Sequence, residues 1–166
     1  FDKFEILEQD RESQLKKTIA LIDKFNGVLR TSGVHLIVSI VPIKMRVYQE
    51  FLPDNLVIGE SAFLNYGQIH KALTASGVPA VDLNHAFLTS ASRMGETPLF
   101  FRLDSHWTPA GVLVAANAIK DHTEADLAAK QIVASIPEVG YSISAGARKR
   151  NSQARDLVSQ LPAASR

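Results

Sequence analysis

Cysteine is absent from the sequence, which excludes disulfide staples, a thiolate nucleophile and any zinc site built on Cys. An excess of one charge is also missing: 18 Lys and Arg stand against 17 Asp and Glu, a formal net charge of +1. That balance leaves no electrostatic footprint for nucleic acid or for an anionic membrane, so neither is expected as a partner. No long hydrophobic run occurs either. The strongest, residues 34–43, is interrupted by His35 and Ser39 and reaches about half of the 20 or so apolar residues that cross a bilayer. His35, His70, His85 and His122 show no H-x-x-x-H or comparable spacing, so no metal site is expected. Nothing implies a cofactor.

What is present suits a folded domain. Hydrophobic residues make up 46% of the chain and charged residues 21%, ordinary globular usage rather than the signature of disorder. A chain of 166 residues matches one domain with a real core. It begins at Phe1, without Met, and enters a helical pattern almost at once. The expectation is that a leader or upstream segment has been removed and that the chain is a portion of a larger protein. Composition alone leaves the compartment open.

Hydrophobic periodicity supplies the architecture. Leu15, Ile19, Ile22, Phe25 and Leu29 recur at spacings of three and four within residues 9–30, with charged residues between them, which predicts an amphipathic helix. Ser32-Gly33 ends it, and the apolar, β-branched residues 34–41 then run to Pro42 as a buried strand. The unit repeats: residues 61–76 read as a helix closed by Gly77, followed by a short strand at 79–83. A third round places a short helix at 85–93 and a strand at Leu99-Phe100-Phe101. Thr108 is then an N-cap, Pro109 fits the first helical position, and Val112, Ala115, Ala116 and Ile119 form the next buried stripe. Three helix-to-strand units predict an α/β fold with a parallel sheet covered by helices on both faces. The pattern is firm over residues 1–122. Over 123–166 it weakens to a helix at 124–132, a strand at 140–143 and a basic, polar end.

In open α/β sheets ligands collect outside the carboxyl ends of the strands. Ile43-Lys44, Asp82 with Asn84, and residues 102–107 occupy such positions. The last group is the richest, with a carboxylate at Asp104, an imidazole at His106, an indole at Trp107 and a helix start two residues later. A carboxylate bonded to one imidazole nitrogen fixes the tautomer and leaves the other nitrogen to take a proton from a nucleophile. The competing reading makes His106 a helix-entry residue and Asp104 a loop former bonded to nearby backbone.

The wider string FFRLDSHWTPAG, residues 100–111, resembles the D-x-H-W-x-x-x-G signature of the alginate O-acetyltransferase family, the J and X proteins and their relatives. Residues 41–53, VPIKMRVYQEFLP, are similar to that family's V-P-x-K-x-x-x-Y-x-x-x-L-P segment, and Val81-Asp82-Leu83 to its next strand. The resemblance implies a single SGNH-hydrolase-like α/β domain, present here as an incomplete one. It also implies a periplasmic location and transfer of acetyl groups to polysaccharide hydroxyls through a Ser-His-Asp triad. Asp104 would then be the orienting acid and His106 the general base. In this family the Asp-x-His pair precedes the serine, and the chain contains neither Gly-Asp-Ser nor a G-x-S-x-G elbow. The nucleophile is therefore expected beyond Arg166. Ser142 and Ser144 are the nearest local candidates and read equally as ordinary strand serines.

By the same resemblance Lys44 and Tyr48 would stand near the substrate cleft, against a solvated Lys and a packed Tyr as the plain alternatives. Trp107 either stacks on a sugar ring or anchors packing. Arg148, Lys149 and Arg150 are a solvated run unless the polymer is acidic. The implied partners are the polysaccharide acceptor, an acetyl donor (protein or small molecule) and proteins of an exopolysaccharide biosynthesis complex. With water as acceptor the same triad would be a carbohydrate acetyl esterase. Without a serine the fold would be a noncatalytic polysaccharide- or partner-binding module.

Overall fold

The computed structural model describes residues 2–53 and 60–140. It divides into two compact units, Phe1–Pro42 with Gln49–Asn84, and Ile43–Tyr48 with His85–Arg166. The expected strand residues 141–143, Ser142, Ser144 and the basic run at 148–150 lie outside the described residues.

The first unit is built from α1 (Asp2–Thr31), β1 (Val38–Ser39), α3 (Glu60–Ala75) and β2 (Ala80–Val81). β1 and β2 pair in parallel, Val38 opposite Ala80 and Ser39 opposite Val81, the α/β pairing that the helix-then-strand repeat predicts. Both helices preceding a strand end in the same way. Gly33 and Gly77 adopt φ of 72° and 79°, the left-handed region where a Cβ is strained. The next amide then reaches back five residues, Val34 to the Leu29 carbonyl at 2.9 Å and Val78 to the Leu73 carbonyl at 3.0 Å. This closure satisfies the last carbonyls of each helix and turns the chain into the strand. Leu73, Val78 and Ala80 form the buried centre, with Ile19, Ile22, Leu36, Val38, Ile40 and Ile69 packed against it.

The apolar stripe of α1 differs from the expected one at one position. Phe25 is exposed and Asn26 is buried. Inward positions along this helix run 15, 19, 22, 26, 29, an alternation of four and three that places residue 25 about 100° off the buried face. Hydrophobicity suggested Phe25; helical geometry selects Asn26.

The second unit holds α2 (Lys44–Val47), α5 (Pro109–Ala125) and α6 (Leu127–Ser135). The expected helix at 85–93 is broken in two: α4 (Leu83–Thr89) ends before Ser90, whose side chain caps a 3-10 turn at Ala91–Met94. The third expected strand is not a sheet strand. Phe100 makes an isolated antiparallel bridge to Trp107, because the chain reverses within the few residues between them. Among the described residues the sheet therefore has two strands. No described helix is long and apolar enough to cross a membrane.

Candidate active site

The reversal at 100–107 builds the site. The Phe101 amide donates to the His106 carbonyl at 3.1 Å, the Thr108 amide to the Leu99 carbonyl at 2.9 Å, and the Asp104 amide to the Phe101 carbonyl at 3.3 Å. Asp104 and His106 thus occupy the tip of a closed, hydrogen-bonded loop rather than the end of a sheet strand.

Within that loop a single oxygen does two things. Asp104 Oδ1 accepts the backbone N–H of His106 at 2.9 Å and also meets His106 Nδ1 at 2.5 Å. The local turn-forming contact and the acid–imidazole contact, competing readings of the sequence, coexist on the same atom. An ionised carboxylate can only accept, so this contact suits the tautomer with the proton on Nδ1, which leaves the lone pair of a neutral ring on Nε2. Exposure divides the pair: the Asp104 side chain is 5% accessible and that of His106 is 77%. A buried acid holding an exposed imidazole by its inner nitrogen is the arrangement of an orienting acid and a proton-accepting base.

The downstream flank is rigid for reasons visible atom by atom. Thr108 caps α5: its hydroxyl donates to the Pro98 carbonyl at 2.6 Å and accepts from the Gly111 amide at 3.3 Å. Gly111 packs directly on the reversal, and a Cβ built there would lie 2.2 Å from the Leu99 carbonyl oxygen. This contact explains a glycine four residues after the tryptophan. It also corrects the expected stripe of α5. With Gly111 turned inward, Ala115 follows it into the buried face, whereas Val112, Ala116 and Ile119 are exposed. Gly111→Ala must push helix and loop apart, and overpacking of this kind costs about 1–3 kcal/mol. The expected result is a lowered thermal unfolding midpoint; an unchanged melt would show that the helix start shifts without cost.

Lys44 and Tyr48, which the sequence placed near substrate, have inward main-chain partners. Lys44 Nζ donates to the carbonyls of Phe101 at 2.7 Å, Arg102 at 2.8 Å and Asp104 at 3.2 Å. Tyr48 is 6% exposed. Its hydroxyl donates to the Arg93 carbonyl and accepts from the Leu99 amide, each at 2.9 Å. Arg93 returns the contact, with Nε donating to the Val47 carbonyl at 2.7 Å and the guanidinium 5.5 Å from the centre of the Tyr48 ring. Sequence reasoning missed Arg93 altogether. Trp107 lies against Phe87 with ring centres 5.0 Å apart, and Phe87 meets Phe100 at 5.9 Å, an aromatic row that backs the loop. Among the described residues no three His, Asp or Glu side chains converge as metal ligands would.

The chain as a whole is similar to known proteins of one family. Residues 1–165 match the protein-family profile described as "SGNH hydrolase-like domain, acetyltransferase AlgX". Among curated proteins, the "Probable alginate O-acetylase AlgJ" of Pseudomonas syringae pv. tomato is 39% identical over 101 residues, 61% of this chain and 25% of that protein. Its namesake in Pseudomonas putida is 36% identical over 110 residues, 66% of this chain and 28% of that protein. The chain spans about a quarter of the length of these curated relatives. Among solved structures, the O-acetyltransferase domain of Pseudomonas putida AlgJ matches with a TM-score of 0.59 at 33% identity, covering 74% of this chain and 41% of that one.

Proposed function

This chain belongs to the SGNH hydrolase-like acetyltransferase family, and on that premise we propose that the protein O-acetylates hydroxyls of an exported, alginate-like polysaccharide through a Ser-His-Asp triad. The observation that carries the reading is the buried Asp104 carboxylate bonded to Nδ1 of an exposed His106. In the first step His106 Nε2 takes the proton of a serine hydroxyl as its oxygen attacks the acetyl carbonyl of the donor. The imidazolium, steadied by Asp104, then returns that proton to the departing donor group and leaves an acetyl-serine. In the second step a sugar hydroxyl attacks the ester, His106 takes its proton, and the serine oxygen leaves and recovers it.

We place the serine beyond Arg166, since in the family it follows the Asp-x-His pair by a further strand-rich stretch. The acceptor is polymer outside the cytoplasm, so the proposed location is the periplasm. The proposed partners are an acetyl donor and other proteins of exopolysaccharide assembly.

The test uses the full-length protein with p-nitrophenyl acetate as donor and oligouronate as acceptor, read by mass spectrometry, together with cell fractionation. Acetylated oligosaccharide and a periplasmic protein are expected. Release of acetate to water alone, at a rate unaffected by added sugar, would replace the transferase by an esterase. A protein found entirely in the cytosol would remove the exported polymer as acceptor.

A further inference from the structure

The amino-terminal anchor of the site is a single ammonium, and its partners are unusual for a lysine. Three carbonyl oxygens of one loop, those of Phe101, Arg102 and Asp104, converge on Lys44 Nζ within 2.7–3.2 Å. An ammonium offers three N–H groups on one small centre, the donor geometry that three converging carbonyls require. Converging carbonyls expose the negative ends of their dipoles to one another beside the buried Asp104 carboxylate. A cation at their focus removes that repulsion; without it the loop relieves the strain by opening.

We propose that Lys44 is a positioning residue for proton transfer, which holds the 101–104 backbone so that Asp104 and His106 stay in register. The inference rests on the triad reading and deepens it. Both members of the pair stand on this one loop two residues apart, so a change in the peptide planes at 102 and 104 moves carboxylate and imidazole relative to each other. Lys44 acts from sequence some sixty residues away, as the first residue of α2. One helical turn on, Tyr48 ties the same short segment to the Leu99 amide, so α2 grips the reversal by its tip through Lys44 and by its base through Tyr48. The spacing K-x-x-x-Y is what puts both anchors on one side of the turn.

The experiment measures kcat and KM of full-length Lys44→Met with p-nitrophenyl acetate, beside the native protein, His106→Ala and the double variant. A displacement of about an ångström at reacting groups lowers rate by about 100-fold, so kcat is expected to fall by about 10- to 100-fold with KM within about twofold and a melting point above the assay temperature. In the His106→Ala background the same substitution is expected to cause no further loss, because its effect passes through the imidazole.

A folded Lys44→Met protein with native kcat overturns the proposal. A loss confined to KM does so too, and makes Lys44 a substrate contact. Additive losses in the double variant would reduce it to a general stabiliser. If Lys44→Met does not fold, Lys44→Arg takes its place. That variant keeps the charge but spreads the donors over a plane, so a fall in kcat at constant KM supports the proposal and a native kcat overturns it. Native activity in His106→Ala alone would instead strike the triad reading, a failure distinct from the others.

Discussion

Full-length protein carrying His106→Ala is expected to lose roughly three to six orders of magnitude in kcat toward an acetyl ester, with little change in KM. The size follows from the role. A general base contributes about 10²- to 10⁴-fold by itself, and more when it activates a nucleophile as one unit of a triad. KM is held because the imidazole works in the transition state rather than in ground-state binding. The structure also predicts that this loss occurs without unfolding. The His106 ring is 77% exposed, so its removal opens no cavity. Its backbone amide continues to donate to Asp104 Oδ1, and its carbonyl still accepts from Phe101. Activity and thermal stability should therefore separate cleanly. A variant that stays within about tenfold of native kcat would end the enzymatic reading, and the polysaccharide- or partner-binding module would take its place.

The helix ends were legible because they depend on local chemistry. A glycine at 33 or 77 after an amphipathic run needs no tertiary information to read as a left-handed stop, and both adopt positive φ. Thr108 before Pro109 is likewise a local signature, and Thr108 caps α5 as expected. The parallel pairing of β1 with β2 follows from the repeat of helix and strand. What resisted reading was set by tertiary contact. Hydrophobicity ranks Phe25 above Asn26, yet the angle between residues 22 and 26 decides which is covered. The stripe of α5 is rotated because Gly111 meets the Leu99 carbonyl, a contact across a reversal that no window of periodicity contains.

The site divides along the same line. Asp104 and His106 are two residues apart, so their pairing could be argued from spacing and from the resemblance of the surrounding string. Leu99-Phe100-Phe101 has the composition of a buried strand, yet of the three only Phe100 makes a β bridge. Its partner, Trp107, lies on the far side of the Asp104-Ser105-His106 turn, so the chain folds back instead of entering the sheet. From sequence, Lys44 reads as a strand-end lysine near substrate. Its three carbonyl acceptors belong to residues 101–104, and backbone acceptors carry no side-chain signature that a sequence could display. Arg93 was invisible for the same reason, since its bond is to the Val47 carbonyl.

Asp104→Asn is the substitution that separates the two tasks of the Asp104 oxygen. Asn has the same shape, and its carbonyl oxygen can still accept the His106 amide, so the loop should close as before. What changes is charge and proton placement. The neutral amide no longer offsets the imidazolium that forms during transfer. Its NH₂ group, turned toward Nδ1, favours the tautomer with the proton on Nε2, where it blocks acceptance from a serine. The expected loss in kcat is roughly 10²- to 10⁴-fold at neutral pH. Asp104→Ala is the less informative change: it leaves the part-buried His106 amide without its acceptor, and a lost hydrogen bond of that kind costs about 1 kcal/mol. Its loss of activity would therefore mix catalysis with loop stability. The discriminating measurement is kcat of Asp104→Asn beside its thermal melt. A folded protein with kcat down by the expected factor assigns the carboxylate to catalysis. A folded protein within about threefold of native kcat would mean that the oxygen serves the turn alone, with the bond to Nδ1 a by-product of two residues sharing one tight loop.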